Sequence, residues 1–210
     1  SAGQTTPHED AKASIDAGGL CLAPGLVDLR VKTGEPGIEQ KETLATASRS
    51  AVAGGITSLV VMPDTKPVID DMALIRFITE RAKSSAAARI YPAGALTTGL
   101  KGEAMAEIGL MANSGAIIFT NGDLPVTNAS ILKRAMAYAG SLGATIMSRP
   151  DERALSGSGV MNAGKLAGRM GLSGIPVEAE WIGAMRDTVL AEATGCTLIM
   201  DQVSTTRTIE

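Results

Sequence analysis

Residues 51–70 read AVAGGITSLVVMPDTKPVID. Gly54 and Gly55 stop a preceding segment of helical period, as glycine does at a helix C-terminus. Ile56–Met62 (ITSLVVM) then runs almost continuously apolar and β-branched. Such a run fits a strand covered on both faces, as in a parallel sheet. Asp70-Asp71 follows and can cap the next helix. Helix, glycine stop, buried strand, polar loop and capped helix make one β/α unit.

The same unit recurs on both sides. Upstream, Pro24-Gly25 precedes a strand at Leu26–Val31 (LVDLRV), and residues 39–53 read as a helix with Leu44, Ala47, Ala51 and Val52 on one face. Downstream, a helix runs to about Ala82 and a strand covers Arg89–Leu96. A helix over 102–113 and a strand at Ala116–Phe119 follow. Asn128 caps a helix with a stripe of Ile131, Leu132, Ala135, Met136 and Ala139. Ala144–Met147 is a short strand, and 150–176 a Gly/Ser-rich loop. The helix at 178–194 has Ile182, Met185, Val189 and Ala193 at inward spacing, and Cys196–Val203 is the last strand. Six strands with five intervening helices in strict alternation predict a parallel sheet with right-handed crossovers.

Two architectures satisfy this alternation, an open doubly wound sheet and a (β/α)8 barrel. No G-x-G-x-x-G follows the first strand, so the dinucleotide-binding sheet lacks support. The barrel is expected, with about six of its eight units present. Six strands would leave two open edges, so the chain reads as part of a longer barrel. Residues 24–210 are assigned to it, and 1–23 to the end of a small appended β domain.

Composition narrows the function classes. The 210 residues are 45% hydrophobic and 20% charged, which excludes disorder as the main state. Net charge is −3, no basic stripe appears, and only 2% of residues are aromatic. Nucleic-acid binding is therefore not expected. No apolar run is long enough to cross a membrane, the N-terminus lacks the pattern of a signal peptide, and a cytoplasmic location is expected. Cys21 and Cys196 are read as buried free thiols. There is one histidine, His8, read as a solvated terminal residue. Any site that needs two imidazoles from this chain is excluded by count.

Barrel chemistry sits at the C-terminal ends of the strands, and those segments carry a resemblance. APGLVDLRVKTGEPG at 23–37 resembles the PG-x-x-D-x-H-x-H-x-R-E-P-G opening of the dihydroorotase family in the amidohydrolase superfamily. VMPDTKP at 61–67 is similar to its M-P-N-T-x-P loop. FTNGDLPV at 119–126 resembles F-S-D-D-G-x-P-V, and RPDERAL at 149–155 resembles H-x-E-D-x-x-L. Residues 159–182 resemble the family's loop into the following helix. LIMDQVST at 198–205 resembles H-I-x-H-V-S-T. The matches fall in order along nearly the whole chain.

The resemblance implies an amidohydrolase-type (β/α)8 TIM barrel, and zinc in active relatives. It also implies that this chain departs at each site position. The H-x-H pair falls on Arg30 and Lys32. Permanent cations there repel a divalent ion. The histidine after the fifth strand falls on Arg149, and that of H-V-S-T on Gln202, a poor zinc ligand. The paired aspartates fall on Asn121 and Gly122, with Asp123 one place on. The substrate-binding arginine falls on Gly34 and the M-P-N-T asparagine on Asp64. No catalytic or metal-ligating residue is assigned, and no cofactor is expected.

Arg30, Lys32 and Arg149 are expected to pair with Asp64, Asp151 or Glu152 and fill the barrel mouth, and Asp28 is read as a framework residue. A new anion pocket and a Schiff-base lysine at Lys32 or Lys66 are the alternatives for these cations. YPAGALTTGLKGEAMAE at 91–107 is similar to the family's non-catalytic branch, whose members serve as structural partners of aspartate carbamoyltransferase in pyrimidine biosynthesis. That role, in an oligomer, is the expectation here. An active dihydroorotase with an atypical metal site, opening dihydroorotate to carbamoyl aspartate, is the alternative.

Overall fold

The computed structural model describes residue 12 and residues 15–210. His8, and the first part of the segment read as an appended β domain, lie outside them.

Nine strands and eight helices follow one another in the described residues. They are β1 (Leu26–Val31), α1 (Leu44–Ala53), β2 (Ile56–Val61), α2 (Met72–Ser85), β3 (Arg89–Pro92), β4 (Gly94–Ala95), α3 (Ile108–Asn113), β5 (Ile118–Thr120), α4 (Ala129–Ser141), β6 (Thr145–Ser148), α5 (Arg153–Ser156), β7 (Met161–Asn162), α6 (Lys165–Met170), β8 (Gly174–Ile175), α7 (Val177–Thr194), β9 (Thr197–Met200) and α8 (Thr206–Ile209). The main strands pair in parallel and in chain order, β1-β2-β3 and then β4-β5-β6-β9. β3 and β4 are one strand interrupted at Ala93, whose N–H still donates to Val61 O at 2.9 Å. This is a partial α/β barrel of six β/α units.

Alternation along the strands divides the core in two. Leu59, Val61, Ile90, Phe119 and Ile146 face outward and meet Leu44, Ile75, Ile78, Leu132 and Met136 from the helices. Val60, Met62, Ala93, Ile118 and Met147 form the inner layer, with Ile199 packed against it. β2 is buried along its last four residues, as its uninterrupted apolar run requires.

The starts of α1, α2, α4 and α5 follow side chains that satisfy their free N–H groups. Asp71 caps α2 by accepting from Ala73 N and Leu74 N, and Asn128 caps α4 by accepting from Ser130 N and Ile131 N. The helix expected from residue 39 begins at Leu44. There Thr43 and Thr46 form a reciprocal capping box, and buried Glu35 accepts from Leu44 N at 2.9 Å. The helix expected over 102–113 begins at Ile108. Residues 97–106 instead turn back on themselves through Thr98 N to Ala104 O and Ala106 N to Leu96 O. The 150–176 loop contains α5, α6 and the small β7-β8 pair.

α7 buries the opposite side from the one its large apolar residues suggested. Ala179, Gly183, Ala184, Asp187 and Ala191 face the sheet, whereas Ile182, Met185 and Val189 are 41%, 50% and 58% exposed and Ala193 is also exposed. The reason is close approach. A Cβ on Gly183 would lie 2.6 Å from Asp151 N, so only a small-residue face can seat the helix there. Cys21 is exposed, not buried as expected; Cys196 is buried, and both are free thiols. No helix among the described residues is long and apolar enough to cross a membrane.

Candidate functional site

The C-terminal ends of β1, β5 and β9 converge on one cluster of charges. Arg30, the fifth residue of β1, sends Nε to Asp201 and a terminal guanidinium nitrogen to Asp123. Lys32, just past β1 on the same face, donates to Asp123 and lies 2.8 Å from Asp64. Gln202 donates to Asp123 at 3.3 Å and to Asp201 at 3.4 Å. Arg149, following β6, donates to the backbone carbonyl of Asp123 at 2.9 Å. Two cations and three carboxylates are thus interlocked, and Asp123 is the residue they share.

The electrostatics follow from the contacts. Partial burial alone would raise the Asp123 carboxyl, but hydrogen bonds and attraction from Lys32 and Arg30 outweigh it and hold the group at about 2. Burial would weaken the charge on Arg30 and Lys32. Hydrogen bonds donated by Arg30 to Asp201 and Asp123, and by Lys32 to Asp123 and Asp64, push both above their ordinary values instead. Lys32 is therefore held as an ammonium. A Schiff-base lysine needs the reverse, a lowered value that frees the amine. Lys66 is exposed, outside this cluster.

The expected pairing is thus partly right. Lys32 does meet Asp64. Asp151 and Glu152 do not take part: Asp151 lies 3.6 Å from Arg153, and Glu152 caps α5 by accepting from Ala154 N. The principal acids are Asp123, noted in the sequence but given no role, and Asp201, which was missed. Its position immediately before Gln202, past the end of β9, was the available signal. Asp28 accepts from Arg30 N at 2.9 Å and so fixes the strand end, a framework role.

The other positions are structural. Asn121 is buried and accepts from both Thr97 N (3.1 Å) and Thr97 Oγ1 (2.9 Å) while donating to Leu100 O (3.2 Å), so it ties β5 to the 97–102 turn. Gly122 takes φ +62°, turning the chain so that Asp123 reaches the cluster. Gly34 is buried in a tight loop in which a Cβ would lie 1.9 Å from Ile38 O. No arginine fits there without moving that backbone. Gln202 itself holds φ +58°, a left-handed conformation costly for a residue with a Cβ.

Glu180, overlooked in the sequence, anchors the segment after Gln202. Its carboxylate accepts from Ser204 N and Oγ (2.9 and 2.6 Å) and from Thr205 N and Oγ1 (2.9 and 2.8 Å). Burial works against its charge, but these bonds outweigh it and lower its pKa. Asp187 is fully buried and accepts from Ser148 Oγ at 2.6 Å, with Arg186 as counter-ion at 2.7 Å. Burial pushes its pKa up, against the Ser148 and Arg186 contacts.

These residues do not fit zinc. A tetrahedral site needs neutral imidazoles, thiolates or free carboxylates converging on one point. Here the centre is occupied by a guanidinium and an ammonium, and all three carboxylates are engaged by them. Among the described residues, no group of three or more His, Cys, Asp or Glu has the arrangement to hold a metal ion.

Comparison with known proteins places the chain. Residues 19–208 match the family model described as Dihydro-orotase-like. A dihydroorotase of Geobacter sp. strain M21 is 42% identical over 203 residues, covering 97% of this chain and 48% of that protein. One from Pelobacter propionicus is 43% identical over 191 residues, covering 91% and 45%. The chain thus spans about half the length of the curated relatives it matches. Among solved structures, an L-hydantoinase (dihydropyrimidinase) from Arthrobacter aurescens superposes with a TM-score of 0.71 at 23% identity, over 91% of this chain and 44% of that one. A Saccharomyces cerevisiae dihydroorotase superposes with a TM-score of 0.59 at 14% identity, over 85% and 48%. These structural likenesses bear on the fold.

Proposed function

Since the chain belongs to the dihydroorotase-like family, we propose that it is a non-catalytic member, which supports aspartate carbamoyltransferase in pyrimidine biosynthesis as a structural partner. The observation that carries this reading is the interlocked charge cluster at the barrel mouth. Arg30 and Lys32 sit among Asp64, Asp123 and Asp201, where a hydrolytic site would need an open Lewis acid and an activated water. The loop at Gly34 points the same way, since it leaves no room for an anion-binding arginine. The scaffold described around both keeps an inner layer of Val60, Met62, Ala93, Ile118 and Met147 and side-chain caps on α1, α2, α4 and α5. A barrel that keeps its core but fills its mouth with ion pairs suits a role in assembly.

Identity of about 42% to proteins named dihydroorotase favours a second reading, an active cyclic amidohydrolase with an atypical site. One experiment separates the two. The full polypeptide is supplied with zinc, its metal content is measured, and dihydroorotate hydrolysis and synthesis are followed on the same sample. The proposal expects less than one zinc per ten chains and no turnover above buffer. Stoichiometric zinc with turnover would overturn it. Co-expression with aspartate carbamoyltransferase tests the partnership: a stable complex is expected, and a transferase fully active and assembled without this protein would refute that part.

A further inference from the structure

Asn121 and Gly122 form the one Asn-Gly pair in the chain. They stand where β5 ends and the chain turns toward the mouth cluster. Asn-Gly is the dipeptide most open to an intramolecular reaction of the backbone. The glycine N–H gives its proton to hydroxide, and the nitrogen attacks the asparagine Cγ. The new N–Cγ bond closes a succinimide ring, the Cγ–Nδ2 bond breaks, and ammonia leaves. Water then opens the ring at either carbonyl, giving aspartate or isoaspartate. The sum is amide plus water to carboxylate plus ammonium. Glycine favours the attack because it has no Cβ to hinder it.

In the fold, both reacting groups are held by other partners. Asn121 is 5% exposed. Its Oδ1 accepts from Thr97 N and Thr97 Oγ1 at 3.1 and 2.9 Å, and its Nδ2 donates to Leu100 O at 3.2 Å. The nucleophile, Gly122 N, donates to Thr120 Oγ1 at 3.0 Å, and Thr120 is buried too. Ring closure therefore needs three events at once. The amide must swing off the 97–102 turn, the Gly122 N–H must leave Thr120, and hydroxide must enter a buried place. All of these contacts lie between β4 and α4, within the described residues. The other three asparagines, Asn113, Asn128 and Asn162, are exposed but precede Ser or Ala, whose side chains slow the attack.

The product does not fit the place the asparagine leaves. An aspartate there keeps an acceptor for Thr97 but has no N–H for Leu100 O. Two oxygens then face each other in a buried setting. An isoaspartate adds a methylene to the main chain after Thr120. That displaces Gly122 and, one residue on, Asp123, to which Arg30 and Lys32 are bound. We infer that Asn121 is a conformation-gated deamidation site. The fold suppresses the reaction, unfolding releases it, and a chain that has reacted does not rebuild the 97–102 turn. Each opening of that turn exposes the chain to an irreversible mark.

The test incubates the full polypeptide at mildly alkaline pH, in native buffer and in urea. Residue 121 is read by peptide mass spectrometry, with isoaspartate scored by enzymatic methylation. Reaction in the fold requires the three Asn121 bonds to break together, so the native rate is expected to lie at least about a hundredfold below the rate in urea. That comparison needs no variant. Thr97→Val removes one donor and keeps the shape. With its fold checked by circular dichroism, it is expected to raise the native rate about fivefold and leave the urea rate unchanged. After dilution from urea, reacted chains are expected to be at least tenfold enriched in the fraction that fails to refold. Native and urea rates within threefold of each other, or no reaction at residue 121 in urea, would overturn the gating. Equal shares of reacted chains in the refolded and unrefolded fractions would overturn the claim that the mark is incompatible with the turn.

Discussion

Replacing Asp123 by Asn tests whether the mouth cluster holds the strand ends together. The substitution keeps the shape and removes the charge that Arg30, Lys32 and Gln202 share. A carboxyl moved from 3.8 to about 2 represents about 2 kcal/mol at roughly 1.4 kcal/mol per pH unit. The side chain is 45% exposed, so solvent screening reduces this to about 1 kcal/mol. The folded value is depressed, so the contribution is fully present above the unfolded value and fades as pH falls through the folded one. The window is therefore about pH 4 to 2. With a denaturant slope of about 2 kcal/mol per molar urea, the Asp123→Asn midpoint at pH 7 should fall by about 0.5 M. The difference from the unaltered protein should shrink as pH falls through that window. Equal midpoints at pH 7, or a difference independent of pH, would refute the idea that Asp123 is the keystone.

Three further outcomes follow from other contacts. Glu180→Ala removes the acceptor of four hydrogen bonds at 204–205; amide exchange across 202–206 should quicken at least tenfold, and stability should fall by about 2 kcal/mol. Asn121→Ala leaves buried Thr97 N and Leu100 O without their partner, so urea unfolding should show a loss of about 2–3 kcal/mol. Gly34→Arg forces the Ile38 carbonyl away and should destabilise by more than about 2 kcal/mol while conferring no dihydroorotate binding by calorimetry; tight binding would show that the loop is adaptable.

The fold was legible because its signals are local. β2 is an apolar run between a glycine pair and a polar loop, and Asp71 and Asn128 cap where a side chain two or three residues ahead of a free N–H should. The start of α1 was marked locally by Thr43 and its capping box with Thr46, a signal that the helix read from residue 39 passed over, while Glu35 reaches Leu44 N from nine residues away. The buried face of α7 was misread for a different reason. Periodicity ranks residues by size and greasiness, whereas this contact is decided by how closely Gly183 can approach the backbone at Asp151. Within the site, the two cations stood out against the family pattern. Their partners did not, since Asp201 lies 171 positions from Arg30 and only strand order brings them together.

The cluster balances its charges from side chains alone, with Arg30 and Lys32 standing among Asp64, Asp123 and Asp201. Without the two cations, Asp64, Asp123 and Asp201 would face one another with nothing between them, and like charges at such distances are costly in a partly buried setting. Short side chains at positions 30 and 32 would leave a hole at the end of β1. Arg30 and Lys32 meet both needs, because each long side chain fills space and carries a full positive charge to its tip. Two monovalent cations then supply the +2 that a divalent ion would. They are tethered to β1 and so cannot be chelated or exchanged. Both are engaged by the carboxylates they neutralise, so the charge that secures the strand ends is built into the chain itself.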